Sequence, residues 1–256
     1  MRGPAGAPER IREAISSPSS NLAIEDGTEF VSGENVIDLG DVLSLGKATA
    51  PEAVEIIAAS VDRALQDGRP LLCVGGDHSV AWPILKATAP KFERLTILQF
   101  DAHPDLYPDF EGDPLSHACP FAQILETFDH VDLVQIGIRT LNRIGKKQAD
   151  RFGVRIHPAS SLPTAAELRI DHPVYISLDL DVLDPAFAPG VSHLEPGGLS
   201  TRELIGLLHA IDAPIVGADL VELNPERDPT GVTAMVAAKL AKELCGILQR
   251  SAHLPI

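Results

Sequence analysis

Short apolar runs recur along this 256-residue chain, separated by stretches in which apolar positions return every three or four residues. The runs are Leu71-Leu72-Cys73-Val74, Leu95-Thr96-Ile97-Leu98-Gln99-Phe100, Val131-Asp132-Leu133-Val134-Gln135-Ile136, Val174-Tyr175-Ile176-Ser177-Leu178 and Ile215-Val216-Gly217-Ala218-Asp219-Leu220. They are rich in β-branched residues and several lack polar alternation, as strands buried on both faces do. Between them, residues 51–66 set Val54, Ile57, Ala58, Val61 and Leu65 on one helical stripe, with Gly68 as the stop signal. Ser200-Thr201-Arg202-Glu203 has capping-box spacing ahead of Leu204, Leu207 and Leu208. Residues 233–249, rich in Ala and Leu, predict a long closing helix. Residues 1–35 read as loop around a short helix at 9–15. The alternation predicts an α/β fold, a three-layer sandwich with a mostly parallel central sheet flanked by helices. The length suits one domain over residues 1–256.

Composition narrows the function classes. Hydrophobic residues make up 45% and charged residues 22%, ordinary globular usage that argues against wholesale disorder. A net charge of −15 disfavours nucleic acid, whose phosphates need basic patches, and favours cations, including metal ions and cationic substrates. The same acidity serves solubility alone. Cys73, Cys119 and Cys245 are too few and too scattered for a disulfide framework or a CxxC clip. With an N-terminus that lacks the apolar core of a signal peptide, they point to a cytoplasmic protein. No run of about 18 apolar residues is present, so no membrane span is expected.

The chemically loaded residues fall just after the expected strands. Gly75-Gly76-Asp77-His78-Ser79 follows the first, Asp101-Ala102-His103-Pro104-Asp105 the second, Asp179-Leu180-Asp181 another, and Glu222 with Asn224-Pro225 the last. In open α/β sheets ligands bind at the carboxyl ends of the strands, so four segments deliver acids and histidines to one edge. Asp101, His103 and Asp105 lie two apart, as do Asp179 and Asp181, a spacing that aims side chains the same way in extended backbone. Crowded carboxylates repel, and a bound cation removes that problem. Oxygen and imidazole donors without thiolate suit manganese better than structural zinc. Each motif also has a plain alternative: a solvated Asp-x-Asp turn, a core histidine at His78, turn initiation at Asp184-Pro185 and Asn224-Pro225.

These stretches, together with Ser177 to Pro185 and Glu195-Pro196-Gly197-Gly198-Leu199, resemble the signature segments of the ureohydrolases, the family of arginases, agmatinases and their relatives. The resemblance runs in order through nearly the whole chain. It implies two manganese ions per chain, one held by His78, Asp101, Asp105 and Asp179, the other by His103, Asp101, Asp179 and Asp181. It implies that Glu222 grips a cationic guanidinium and that His117 shuttles a proton to the departing amine, with Asp105 counted among the catalytic residues too. A water made acidic by paired metals would attack the guanidinium carbon and release urea. The resemblance also implies a homo-oligomer, a trimer or hexamer. Relatives usually carry an N-terminal strand and loop ahead of the segment that Arg2-Gly3-Pro4 resembles, so the chain is expected to lack them.

The substrate is read less directly. Residues 101–112, 135–154, 184–199 and 233–240 look most like plant-type arginases and their bacterial cousins, which favours L-arginine. Ser116-His117-Ala118-Cys119-Pro120-Phe121 is a near match to agmatinases, which keeps agmatine or another guanidino acid open. His193 stands where other branches carry threonine, and either contacts substrate or packs. Arg139 and Asn142 are candidate donors to a substrate carboxylate, or surface residues. The rivals from other classes are a metal-dependent amide deacetylase and a catalytically impaired metal-binding protein.

Overall fold

The computed structural model describes residues 3–31, 33–43 and 45–251. Met1, Arg2 and Ser32 of the expected N-terminal loop lie outside the described residues, as does Arg2 of the family-like start. Six strands form one sheet: β1 (Leu71–Val74), β2 (Leu95–Phe100), β3 (Val131–Ile138), β4 (Arg155–Pro158), β5 (Val174–Asp179) and β6 (Ile215–Val221). Their order is β1-β6-β5-β2-β3-β4, and every pairing is parallel. The inner strands β2, β5 and β6 are buried along their whole length, which is why they read as apolar runs without alternation.

Seven α-helices accompany the sheet among the described residues: α1 (Ala7–Ile15), α2 (Ala50–Leu65), α3 (Ala81–Thr88), α4 (Pro120–Thr127), α5 (Arg143–Phe152), α6 (Thr201–Ala210) and α7 (Val232–Ser251). Helices α1, α6 and α7 pack with Leu98, Ile136, Ile176 and Leu178 in one core layer. Helices α2 to α5 pack with Ile97, Leu133, Tyr175 and Val216 in the other. The sheet is therefore covered on both faces. The capping box at Ser200 and Glu203 starts α6 as its spacing predicts, and Thr49 with Glu52 does the same for α2.

Two kinds of element escape the hydrophobic pattern. Strand β4 is an edge strand with exposed ends and a terminal proline, and only its pairing with β3 defines it. Helices α3 and α4 are eight residues each and buried on several faces, so no polar stripe marks them as helical. Strand β3 runs past its expected end through Gly137, whose φ of 96° accompanies a register shift against β4. A Cβ at Gly137 would lie 2.5 Å from Val182 and 3.1 Å from the Asp101 carbonyl, so glycine lets two site-bearing segments approach.

Candidate metal centre

Strands β1, β6, β5 and β2 are consecutive neighbours in the sheet, and all point the same way. Their carboxyl ends therefore line one edge. Positive φ marks the segments that follow β1, β2 and β6. Gly75, with φ 104°, turns the chain where a Cβ would strike Pro8. Asp105 (φ 48°) and Glu222 (φ 68°) hold left-handed backbone that non-glycine residues seldom adopt. Among the described residues only Glu111 joins them, so this conformation concentrates at the candidate site.

The acids and imidazoles converge. The Nδ1 of His78 lies 3.0 Å from Asp101 Oδ2, 3.1 Å from Asp105 Oδ2 and 3.2 Å from Asp179 Oδ2. The Nδ1 of His103 lies 2.9 Å from Asp181 Oδ2 and 3.5 Å from Asp101 Oδ1. His78, Asp101 and Asp105 form one group able to hold a metal ion, and Asp101, His103 and Asp181 form another. Asp101 belongs to both. Glu222 joins the first group through Oε1, which accepts the His78 backbone N–H at 3.0 Å.

Below the site, the sheet carries a buried polar row. Register places Cys73 beside Asp219, Asp219 beside Ser177, Ser177 beside Gln99 and Gln99 beside Gln135. Ser177 donates to Asp219 Oδ1 at 2.8 Å, so its oxygen is free to accept from His78 Nε2 at 3.0 Å. Gln99 donates to Asp101 Oδ2 at 2.7 Å and to the His103 carbonyl at 3.1 Å. Gln135 donates to Gln99 Oε1 and to the Pro104 carbonyl, each at 2.6 Å. This row went unread in the sequence. Its signal is a single polar residue near the end of each buried strand.

The row decides the chemistry of His78. With Nε2–H given to Ser177, a neutral ring presents a lone pair at Nδ1 to three carboxylates. That atom is buried and has no hydrogen-bond partner. A lone pair facing anionic oxygens is repulsive unless a proton or a metal cation sits between them, and the deprotonated ring is the form a metal ligand requires. The residues fit a divalent metal on this count and on donor type, all oxygen and imidazole.

The electrostatics agree. Burial pushes Asp179 well above the usual carboxylate range, with Asp181 and Asp101 adding to it. Burial, then Asp101, raises Asp105 to about 6, and both also raise Asp181. Burial works against charge on the imidazoles, yet the facing carboxylates lift His78 well above its usual value and His103 to about 12. Asp101 resists burial because His103 and His78 hold it low. Burial and then Asp77 raise Glu222 to about 8.

Two further histidines stand beside this cluster. His117 precedes α4, and burial lowers its imidazole. His193 stacks on it, with ring centroids 5.2 Å apart and planes at 18°. The structure thus brings all nine sequence-derived site residues to one place. It does not do so for Arg139 and Asn142. The Arg139 guanidinium donates to the carbonyls of Glu195, Gly137, Asp181, Val182 and Leu183, and so pins the loop that carries Asp181. Asn142 caps α5 and donates to the Tyr107 hydroxyl. The Arg139 nitrogens are all engaged within the protein, and the Asn142 amide is held by its cap and by Tyr107. Asp184 accepts from Ala186, Gly197 and Gly198, and Asn224 from Glu226, so these two are turn-builders.

The sequence matches the model of the Arginase family over residues 1–246. The chain belongs to the arginase family. This family member is 43% identical to "Arginase 1, mitochondrial" of Arabidopsis thaliana, over 98% of the chain and 77% of that protein. It is 33% identical to an agmatinase of Bacillus subtilis (strain 168), over 93% of the chain and 83% of that protein. Among solved structures, the arginase from Medicago truncatula has a TM-score of 0.87 at 41% identity, covering 95% of this chain and 81% of that one. The fold is that of the arginases, and the chain is a hydrolase acting on guanidino C–N bonds. Greater similarity to plant arginases than to agmatinases favours arginase activity. The family's members are metalloenzymes, and the residues able to hold metal are in place here.

One expectation is corrected. A cytoplasmic location is overturned by the plant arginases similar to this chain, which are named mitochondrial and in one case chloroplastic/mitochondrial. Unpaired cysteines report a reducing milieu, and that property does not distinguish the cytosol from other reducing compartments. Among the described residues no helix is long and apolar enough to cross a membrane.

Proposed function

We propose that this chain is a dimanganese arginase, releasing urea from L-arginine and leaving ornithine. The observation that carries the reading is the orphaned Nδ1 of His78, ringed by Asp101, Asp105 and Asp179 beside a second donor group that shares Asp101. His78, Asp101, Asp105 and Asp179 would hold one ion, and His103, Asp101, Asp179 and Asp181 the other. When bound, such a pair supplies an acidified water and Lewis-acid polarisation.

The chain's own groups do the rest. Glu222 pairs its carboxylate with the planar guanidinium and orients it, since two parallel N–H donors match two carboxylate oxygens. Its buried position strengthens that pairing. His117 rests neutral, because burial holds its imidazole low. It accepts a proton as the guanidinium carbon is attacked and returns it to the departing amine. Asp105 keeps its carboxylate against His78, in strained backbone that fixes its direction. His193 borders the space that the substrate occupies. A homo-oligomer, trimer or hexamer, belongs to the same reading and is tested by sedimentation velocity.

One observation keeps agmatine as the second reading: the side chains expected to meet an α-carboxylate, Arg139 and Asn142, are committed elsewhere. A site built to pair that carboxylate would reject agmatine strongly. Urea release from arginine and from agmatine, each with manganese, separates the two. Higher kcat/KM for arginine supports the proposal, and preference for agmatine replaces it.

A further inference from the structure

The ring of His117 is poorly held by hydrogen bonds. Among the described residues, its nitrogens have one such partner, a 3.5 Å contact of Nδ1 with Ser116 Oγ, at the outer edge of a hydrogen bond. A side chain with two free torsions that must deliver a proton in a fixed direction needs another restraint. Ring faces supply it. Phe110 tilts against His117 at 6.1 Å and 58°, and His193 lies nearly parallel to it at 5.2 Å and 18°.

The backbone that carries His193 is anchored to the strand end that carries Glu222. Val191 pairs with Leu223 in an isolated bridge. Ser192 Oγ accepts from Asn224 Nδ2 at 3.0 Å, and Asn224 donates its backbone N–H to the Gly190 carbonyl at 2.8 Å. Gly190 in turn donates to Thr233 Oγ1 at 2.7 Å. The His193 ring also meets His103, at 5.9 Å and 73°. His193 therefore stands between the candidate metal cluster and His117, on a loop tied to the residues immediately after Glu222.

We propose that His193 is a positioning residue that sets the plane of the His117 ring relative to Glu222, and that it does so through its flat face. The proposal rests on the reading of His117 as the proton carrier. It distinguishes ring area from imidazole chemistry. Phenylalanine at 193 keeps the face and loses the nitrogens, whereas alanine and threonine lose both. Offset and parallel ring pairs are stabilised by their faces, and loss of one frees the partner to turn.

The test uses manganese-loaded full-length His193→Phe, His193→Ala and His193→Thr, with two readouts. The first is urea release. The Ala and Thr variants are expected to lose roughly five- to tenfold in kcat, a larger effect than on KM, and the Phe variant to lose several-fold less in kcat than either. The second needs no turnover: the rate at which diethyl pyrocarbonate modifies His117, read on its peptide by mass spectrometry. It should rise several-fold in the Ala and Thr variants and stay at the parent rate in the Phe variant. Equal losses in Phe and Ala would overturn the proposal, as would parent-like kcat and modification rates in Ala and Thr. If the parent itself releases no urea, the functional reading fails, and the modification rates still decide whether His193 holds the ring.

Discussion

Ser177 Oγ lies 3.0 Å from Nε2 of His78, and the same hydroxyl donates to Asp219 at 2.8 Å. Two strands thus fix one tautomer of a buried imidazole and aim its other nitrogen at the candidate metal site. Ser177→Ala removes the acceptor and leaves the Nε2–H unpaired. Partners of this kind typically contribute 10–100-fold in metal affinity. Competition with a chelator should show a loss of about that size in Ser177→Ala, with folding intact. Unchanged affinity would remove the relay from the account.

Metal uptake should release protons. Without a cation, facing carboxylates lift His78 well above its usual value and His103 to about 12, while burial lifts Asp179. A divalent ion needs these ligands deprotonated. Affinity should therefore rise with pH. Calorimetric titration in two buffers of different ionisation enthalpy should give different heats, with the sign of proton release. Identical heats would contradict the assignment.

Glu222 should trade stability for function. Burial and Asp77 raise it to about 8 in the fold, above the ordinary value near 4.5. Between those two pH values the folded state binds more protons than the unfolded state, so stability falls as pH rises through the window. The penalty is absent below about pH 4.5 and complete above about pH 8. Glu222→Gln keeps an oxygen for the His78 N–H and removes the charge. The metal-free variant should be more stable than the parent by roughly 1–3 kcal/mol at pH 8, with the difference closing at acid pH. Its kcat/KM should collapse. Thermal unfolding at two pH values checks the first point, and urea release the second.

Far from the site, Glu243 on α7 ties the N-terminal loop to two helices. Its fully buried carboxylate meets Lys239, His209 Nε2 at 2.7 Å and the Glu25 N–H at 3.1 Å. Lys239→Met strips one partner from a buried charge. Since Lys239 is about a third exposed, the expected cost is about 1–2 kcal/mol, below that of a fully buried pair. Urea unfolding followed by circular dichroism should show a lower midpoint with an unchanged slope.

The strand ends were legible because a parallel sheet sends every carboxyl end to one edge, so Asp101, Asp179 and Glu222 announce themselves by position alone. The support beneath them was not. Gln99, Gln135, Ser177 and Asp219 each look like an isolated flaw in an apolar run, and only strand register aligns them into a row. Arg139 was misread for a related reason. Four of its five carbonyl partners, on Asp181, Val182, Leu183 and Glu195, lie on segments distant in sequence, so little that is local marks it as internal. The stacking of His193 on His117 joins two loops in the same way, and the sequence left its contact open.

The most direct measurement is the metal content of the active protein. Dialysed against manganese, washed and analysed by plasma emission, the chain should carry two ions per subunit, and urea release from arginine should rise as the second ion is taken up. A single ion per subunit at full activity, or urea release that survives complete chelation, would contradict the binuclear centre.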